Sequence, residues 1–525
     1  MADRARSRRL AGPRFLSLAL IGILAAIFSL LLACGTPPPP GDTLRIGIEG
    51  NPTNLDPRFA TDAYSVRILG LVYEGLFADE IDGGIAPALA EGYEVPDERT
   101  YRITLKPGLV WQDGSPIVAA DVAATYRFLA DPKNASPAQD TFGRLVAIET
   151  PDDRTVVLRL AEPFSPFLDK LTRPIVPARL QDPAKLAAAP VGSGPYRLVD
   201  FQLGQKVILE ANPRYRQGPP PIPRLEFRVV ANDTTRLLQL NKGDLDLVVN
   251  AVPNFAVKFF AEMPGRLVQR EPGINYSYLG FNLADRHGIV SRREVRQAIA
   301  HAINREEIIA ALLFGMARPA TSLLAPGNWA YDPGAPTYPY DPERAKQLLD
   351  AAGFPDPDGD GPAVRFTLSY KTSTNKLRMR IAEVIAGQLA RVGIGFERRS
   401  LEWGTFFQDI KSGNFQTYTL TWVGVNDPDH LYYVYHSSMQ PPRGGNRGFY
   451  ADPQVDQWLD ASRRTNDRAE RRRLYGLVQQ KVAADCVYVD LWWADNVAVQ
   501  TDRLQGFFLR PSGDYRALAT ARLRP

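Results

Sequence analysis

The chain has 525 residues, 45% of them hydrophobic and 23% charged, with a formal net charge of +4. Of its 62 lysines and arginines and 58 aspartates and glutamates, five arginines and one aspartate lie in residues 1–33, so the rest carries 57 of each sign. That balance gives no support for a polybasic surface for nucleic acid or anionic lipid, and two cysteines exclude a disulfide framework, which a body of this size does not need.

Arg4, Arg6, Arg8, Arg9 and Arg14 precede an uncharged run from Phe15 to Ala33, followed by Cys34. A basic start, an apolar stretch and a small residue before the cut describe an export signal, and Cys34 after Ala33 resembles the bacterial lipobox, whose thiol is acylated. The run is also about long enough to span a bilayer as an uncleaved anchor; a cysteine placed at the cut favours the lipobox. Gly35, Thr36, Pro37 to Pro40 and Gly41 read as an extended, semi-rigid stalk. We therefore expect a lipoprotein signal peptide over 1–33 and a lipidated stalk over 34–41. The body is expected outside the cytoplasm, in the periplasm or at the cell surface, lipid-anchored to a membrane.

Strand-like and helix-like patterns alternate along the body, which predicts an α/β fold. Thr43 to Glu49, Tyr101 to Leu105 and Thr155 to Leu160 read as strands, and Ala120 to Leu129 as a helix. A short helix from Thr234 to Lys242, with Asp233 as N-cap, precedes a strand from Leu245 to Val249. Ser291 and Glu294 have capping-box spacing ahead of a helical stripe through Val295, Ala298, Ile299 and Ala302, and Asn304 with Glu307 repeats the signal. Asp341-Pro342 opens a helix that Gly353 closes. A helical stripe from Ile381 to Val392 ends at Gly393, and a strand from Gly395 to Ser400 follows, the grammar of a sheet with crossover helices. Cys486 lies in an apolar stretch and reads as core.

Several segments in one order resemble a known family. They are Leu44-Arg45-Ile46-Gly47 into Asn54-Leu55-Asp56-Pro57, Tyr73-Glu74-Gly75-Leu76, and Trp111-Gln112-Asp113-Gly114-Ser115-Pro116 before Ala120-Asp121-Val122. Further on come Gly192-Ser193-Gly194-Pro195-Tyr196, Val295-Arg296-Gln297-Ala298-Ile299, and Tyr340-Asp341-Pro342-Glu343-Arg344-Ala345. Together they resemble the extracytoplasmic solute-binding proteins of ABC importers, the group with dipeptide-, oligopeptide- and nickel-binding members. Singly each is a turn signal or, as with Trp111, a core residue.

The resemblance implies a two-lobed periplasmic-binding-protein-like fold with hinge strands and an extra domain inserted in lobe one. Lobe one would take 42–72, 172–276 and 488–525, the inserted domain 73–171, and lobe two 277–487. It also implies a monomer that captures a peptide or peptide-like solute between its lobes, docks on permease and ATPase subunits, binds no nucleic acid and does no covalent chemistry.

In the oligopeptide-binding relatives, tryptophans matching Trp403 and Trp422 line the cleft, and the strand backbone beside the second, here Val423 and Gly424, pairs with an extended peptide. An aspartate three residues after the second tryptophan pairs with the ligand's ammonium; here that slot holds Val425, and Asp427 is the nearest replacement, with Asp429 behind it. Asn51 and Asn54 are expected on the opposite lip. Arg443 and Arg447 are candidates for a ligand carboxylate, or parts of a solvated loop. Blocked peptides, glycosides and metal chelates stand as alternative ligands.

His430 and His436 match no metal-ligand spacing and read as surface residues. Asp356 to Gly361 copies the start of a calcium loop, but Thr367 stands where the bidentate glutamate belongs, which favours a polar turn. No nucleophile elbow, zinc helix, phosphate loop or dinucleotide fingerprint is present, so no cofactor is expected. A surface-anchored hydrolase with paired carboxylates is the competing class, since two acids can converge in space without a motif.

Overall fold

The computed structural model describes residues 41–80, 82–285, 288–359 and 361–524. The leader, Cys34 and the stalk prolines lie outside them, as do His287 and Asp360 of the calcium-like loop. Two long strands organise the body. Arg266–Phe281 and Tyr488–Thr501 pair antiparallel from Arg266 opposite Thr501 to Gly280 opposite Tyr488, with register shifts between Glu271 and Asn275 and between Ser277 and Tyr278. Pro272 and Gly273 occupy the first shift. Proline has no N–H to give the ladder, and Gly273 lets the backbone of Ala494 approach where a Cβ would stand.

The shift divides the pair into halves that serve different neighbours. The Ala498–Gln500 end takes Leu247–Val249 as its next strand, followed outward by Thr43–Ile48, Arg224–Val229, Lys206–Ala211 and Tyr196–Gln202. The Tyr276–Phe281 end takes Thr417–Trp422, then Phe366–Ser373 and Ile394–Leu401. The last two pair in parallel over eight positions with the helix Lys376–Ala390 between them, the crossover unit that parallel pairing requires. Gly393, at φ +77°, makes the turn from helix to strand.

A separate antiparallel sheet orders Ala90–Asp97, Thr100–Leu105, Thr155–Leu160 and Leu145–Glu149. The helix Ala119–Ala130 covers its apolar core, where Trp111 is fully buried with its indole N–H donated to Asp121. Other clusters fill the two wings of the large sheet. One runs through Leu44, Ile46, Leu225 and Tyr515, and two more through Leu279, Ile299 and Ile385 and through Tyr278, Tyr418 and Tyr475. Among the described residues no helix is long and apolar enough to cross a membrane.

Most helix starts follow the local signals. Asn304 accepts from the Glu307 N–H and Asp341 from the Arg344 N–H. Two differ. Asn232, not Asp233, caps Asp233–Lys242, while Asp233 instead pairs with the buried Arg236. The Ser291–Glu294 box does not form: the helix starts at Arg293 without a side-chain cap. There the buried Arg296 donates to the carbonyls of Val290, Ser291 and Cys486, tying the helix start into the core. Cys486 is fully buried, and burial pushes its thiol up to about 12, so it is an unreactive core residue.

Replacing Gly273 by alanine is expected to cost about 1–3 kcal/mol, because a Cβ there must displace backbone. Urea unfolding of Gly273→Ala checks this; an unshifted midpoint would show that the crossing strands yield at this point.

Candidate ligand-binding site

The strand Thr417–Trp422 alternates its side chains between two faces. Tyr418, Leu420 and Trp422 therefore share a face and pack in the aromatic cluster with Tyr276 and Tyr278 of the long strand, where Trp422 lies opposite Tyr276. The Trp422 ring stacks at 6.3 Å and 11° from Tyr278, which lies 4.2 Å from Tyr488. His430 and Tyr433 meet the indole by their edges at 5.0 and 5.9 Å. Trp422 is 8% exposed. On its other side the strand pairs with Phe366–Ser373 only at Thr417 and Tyr418. From Thr419 to Trp422 that edge has no strand partner among the described residues. Val423, just beyond, is 60% exposed, and Gly424 turns the chain at φ +69° with its N–H on the Asn275 side chain.

Trp403 opens the helix Trp403–Lys411, where Glu402 caps by accepting from the Gly404 and Thr405 N–H groups. One helical turn on, Phe407 stacks on it at 5.5 Å and 12°. Trp403 remains 46% exposed. Arg447 joins the two tryptophans: its guanidinium lies 5.2 Å from the Phe407 ring and 4.2 Å from Trp422, and donates to the Tyr278 hydroxyl at 3.3 Å. Arg378 lies 4.8 Å over the Trp403 ring. Cation–π contacts contribute about 0.5–2 kcal/mol each, whereas withdrawing an ion from water costs several. The stacks alone leave Arg447 under-compensated. Tyr278, Tyr418, Tyr488 and His430 act on its charge; burial pushes Tyr418 and Tyr488 well above 10 and His430 down to about 4, so these three are neutral at pH 7.

Asp427 does not face the wall as an open acid. Lys170 donates to its carboxylate, and that charge and hydrogen bond, against burial, hold Asp427 below the usual carboxylate range. Asp429 is chelated by Arg463 at 2.7 and 2.8 Å. Val425 is buried in the aromatic cluster. The expectation that Asp427 receives a ligand ammonium thus meets an internal ammonium already in place, contributed by a segment 257 residues away in sequence. Burial, followed by the charge of Asp427, pushes Asp169 up to about 7.

Asn51 and Asn54 are held by local hydrogen bonds. Their amide oxygens accept from the backbone N–H groups of Gly204 and Asp56. Arg443 is an exposed loop residue. The surface reading of the histidines is corrected: His436 is 7% exposed, stacked at 4.2 Å on Tyr432 and 3.5 Å from Asp460, and His430 packs on Trp422. Among the described residues no group of three or more His, Cys, Asp or Glu could hold a metal ion. Sequence reasoning missed Arg378, Lys170, Tyr278 and Tyr433. The dense aromatic run Tyr432-Tyr433-Val434-Tyr435 was the one available signal.

A family model described as bacterial extracellular solute-binding proteins, family 5, matches residues 84–441. The chain is similar to the oligopeptide-binding protein AppA of Bacillus subtilis (strain 168), at 27% identity over 498 residues and 91% of each chain. It is also similar to the glutathione-binding protein GsiB of Salmonella typhi, at 29% over 480 residues, 89% of this chain and 92% of that one. The solved structure of AppA with a nonapeptide superposes with a TM-score of 0.76 at 26% identity, covering 92% of this chain and 99% of the other. NikZ from Campylobacter jejuni, in complex with Ni(L-His), superposes at 0.78 and 25%, covering 92% and 100%.

His430 makes the stability near this wall pH-dependent. Burial lowers its pKa from 6.5 to about 4, so between those values the unfolded chain binds a proton that the folded one does not. Its contribution is complete above pH 6.5 and is lost as pH falls toward 4. Asp169, raised to about 7, acts oppositely, its contribution falling as pH rises from about 4. The difference between wild type and His430→Gln isolates the histidine: the wild type is expected to lose Tm relative to the variant as pH drops from 6.5 to 4. A constant difference across that range would refute the assignment.

Proposed function

The chain belongs to family 5 of the bacterial extracellular solute-binding proteins, and we propose that it is the membrane-anchored receptor of an ABC importer for a peptide or peptide-like solute. The observation that carries this reading is the strand edge from Thr419 to Trp422, without a strand partner on one side among the described residues and continued by the exposed Val423 and Gly424. An extended backbone adds to such an edge through main-chain hydrogen bonds, while aromatic walls accept varied side chains. Trp422, Trp403, Phe407 and Arg447 form that wall. Asn51 and Asn54 would face it from lobe one when the lobes close on the solute by hinge motion. Lobe one would comprise 42–72, 172–276 and 488–525, lobe two 277–487, and 73–171 the inserted domain. Lipid on Cys34 would hold the body at the membrane, and transport energy would come from the ATPase partners. A receptor is preferred to a carboxylate hydrolase because Asp427 and Asp429 are committed to Lys170 and Arg463.

Native mass spectrometry of the full-length protein, purified without denaturation, is expected to show a discrete extra mass that unfolding releases and that Trp422→Ala reduces at least tenfold in occupancy. Failure to find such a mass, with no saturable binding of any tripeptide, would count against the receptor. Metabolic labelling with a fatty-acid analogue is expected to mark the wild type and not Cys34→Ser; equal labelling of the two would remove the lipid anchor from the reading.

A further inference from the structure

We propose that the tryptophan wall recognises a carboxylate of the solute, held by Arg447, and offers no counter-charge to a ligand ammonium group. This rests on the receptor reading above and reverses the pole expected at this place from the peptide-binding relatives.

The wall is a ladder of alternating rings and cations. Arg378 lies over Trp403, Trp403 stacks on Phe407, Arg447 lies over both Phe407 and Trp422, and Trp422 stacks on Tyr278. Lys411 adds a third cation 5.4 Å from Phe407. Neither Arg378 nor Arg447 has an ion-pair partner among the described residues. Their side-chain hydrogen bonds go to the Ser373 and Tyr278 hydroxyls. The neighbouring Arg463 and Arg471 are both paired, with Asp429 and Asp169.

A second observation points the same way. The Trp422 indole N–H is buried and has no acceptor among the described residues. An indole nitrogen only donates, so what completes it must be an oxygen or another acceptor. Of the nearby acids, Asp427 is neutralised by Lys170 and Asp429 by Arg463, Glu402 is engaged by the Gly404 and Thr405 N–H groups as a helix cap, and Val425 supplies no charge. The wall is nevertheless reachable, since Val423, Trp403 and Tyr433 are 60%, 46% and 39% exposed. A guanidinium presents a planar fork that matches a carboxylate. A solute bearing one would relieve a partly buried charge, and one lacking it would leave that charge unpaired.

The test uses the full-length protein and one tripeptide pool in four forms: free, N-acetylated, C-amidated and doubly blocked. Retained species are identified by mass spectrometry. Free and N-acetylated peptides are expected to be retained at least tenfold over their amides, with the preference lost in Arg447→Gln and partly kept in Arg447→Lys. Retention that requires the free amine and ignores amidation overturns the proposal. If no form is retained, the peptide reading fails by itself. The pole is then decided on the wild type by tryptophan-fluorescence titration with 3-phenylpropionate against 3-phenylpropionamide. Tighter binding of the acid upholds it, and equal or weaker binding overturns it.

Discussion

Backbone pairing between Arg266–Phe281 and Tyr488–Thr501 is the constraint on which the molecule depends. Each strand serves one wing of the large sheet with its first half and the other wing with its second. Neither wing can therefore leave without breaking the ladder that also belongs to its partner. Pairing of the two strands is interrupted between Glu271 and Asn275. Asp495 stands beside that interruption, its side chain 3% exposed, with Arg270 at 2.6 Å and Arg318 at 3.5 Å, so the crossing carries an ionic clasp as well as hydrogen bonds.

The aromatic wall hangs from the same two strands. Tyr276 and Tyr278 come from one, Tyr488 from the other, and Trp422 from the strand that pairs with the first. Burying such rings contributes about 1.5–3 kcal/mol each, enough to hold the strand Thr417–Trp422 firmly on one side. Its other side beyond Tyr418 lacks a strand partner among the described residues, because Phe366–Ser373 pairs only with the strand's start. One strand thus belongs to the core on one edge and to the candidate site on the other.

Local signals were legible where local physics decides. The caps at Asn304 and Asp341 and the turns at Gly353 and Gly393 followed from side chains close in sequence. The Ser291–Glu294 signal failed because a buried arginine, reaching Cys486 from far along the chain, set the helix start instead. The surface reading of His430 and His436 failed for a related reason. Spacing excludes a metal motif, but it does not say what packs on an imidazole.

The candidate site divides in the same way. Trp403, Trp422 and the missing acid at Val425 could be named from the chain alone, because a family pattern is carried by residues in order. That Lys170 closes Asp427, and that Arg447 and Arg378 stack on the tryptophans without a carboxylate partner among the described residues, could not be named. The sequence by itself determined the alternation of strands and helices, the balanced charge of the body and the family, since these depend on composition, periodicity and ordered motifs. Only the tertiary structure decided which charges are neutralised and which are left open, because ion pairing depends on distances between segments that the chain order does not encode.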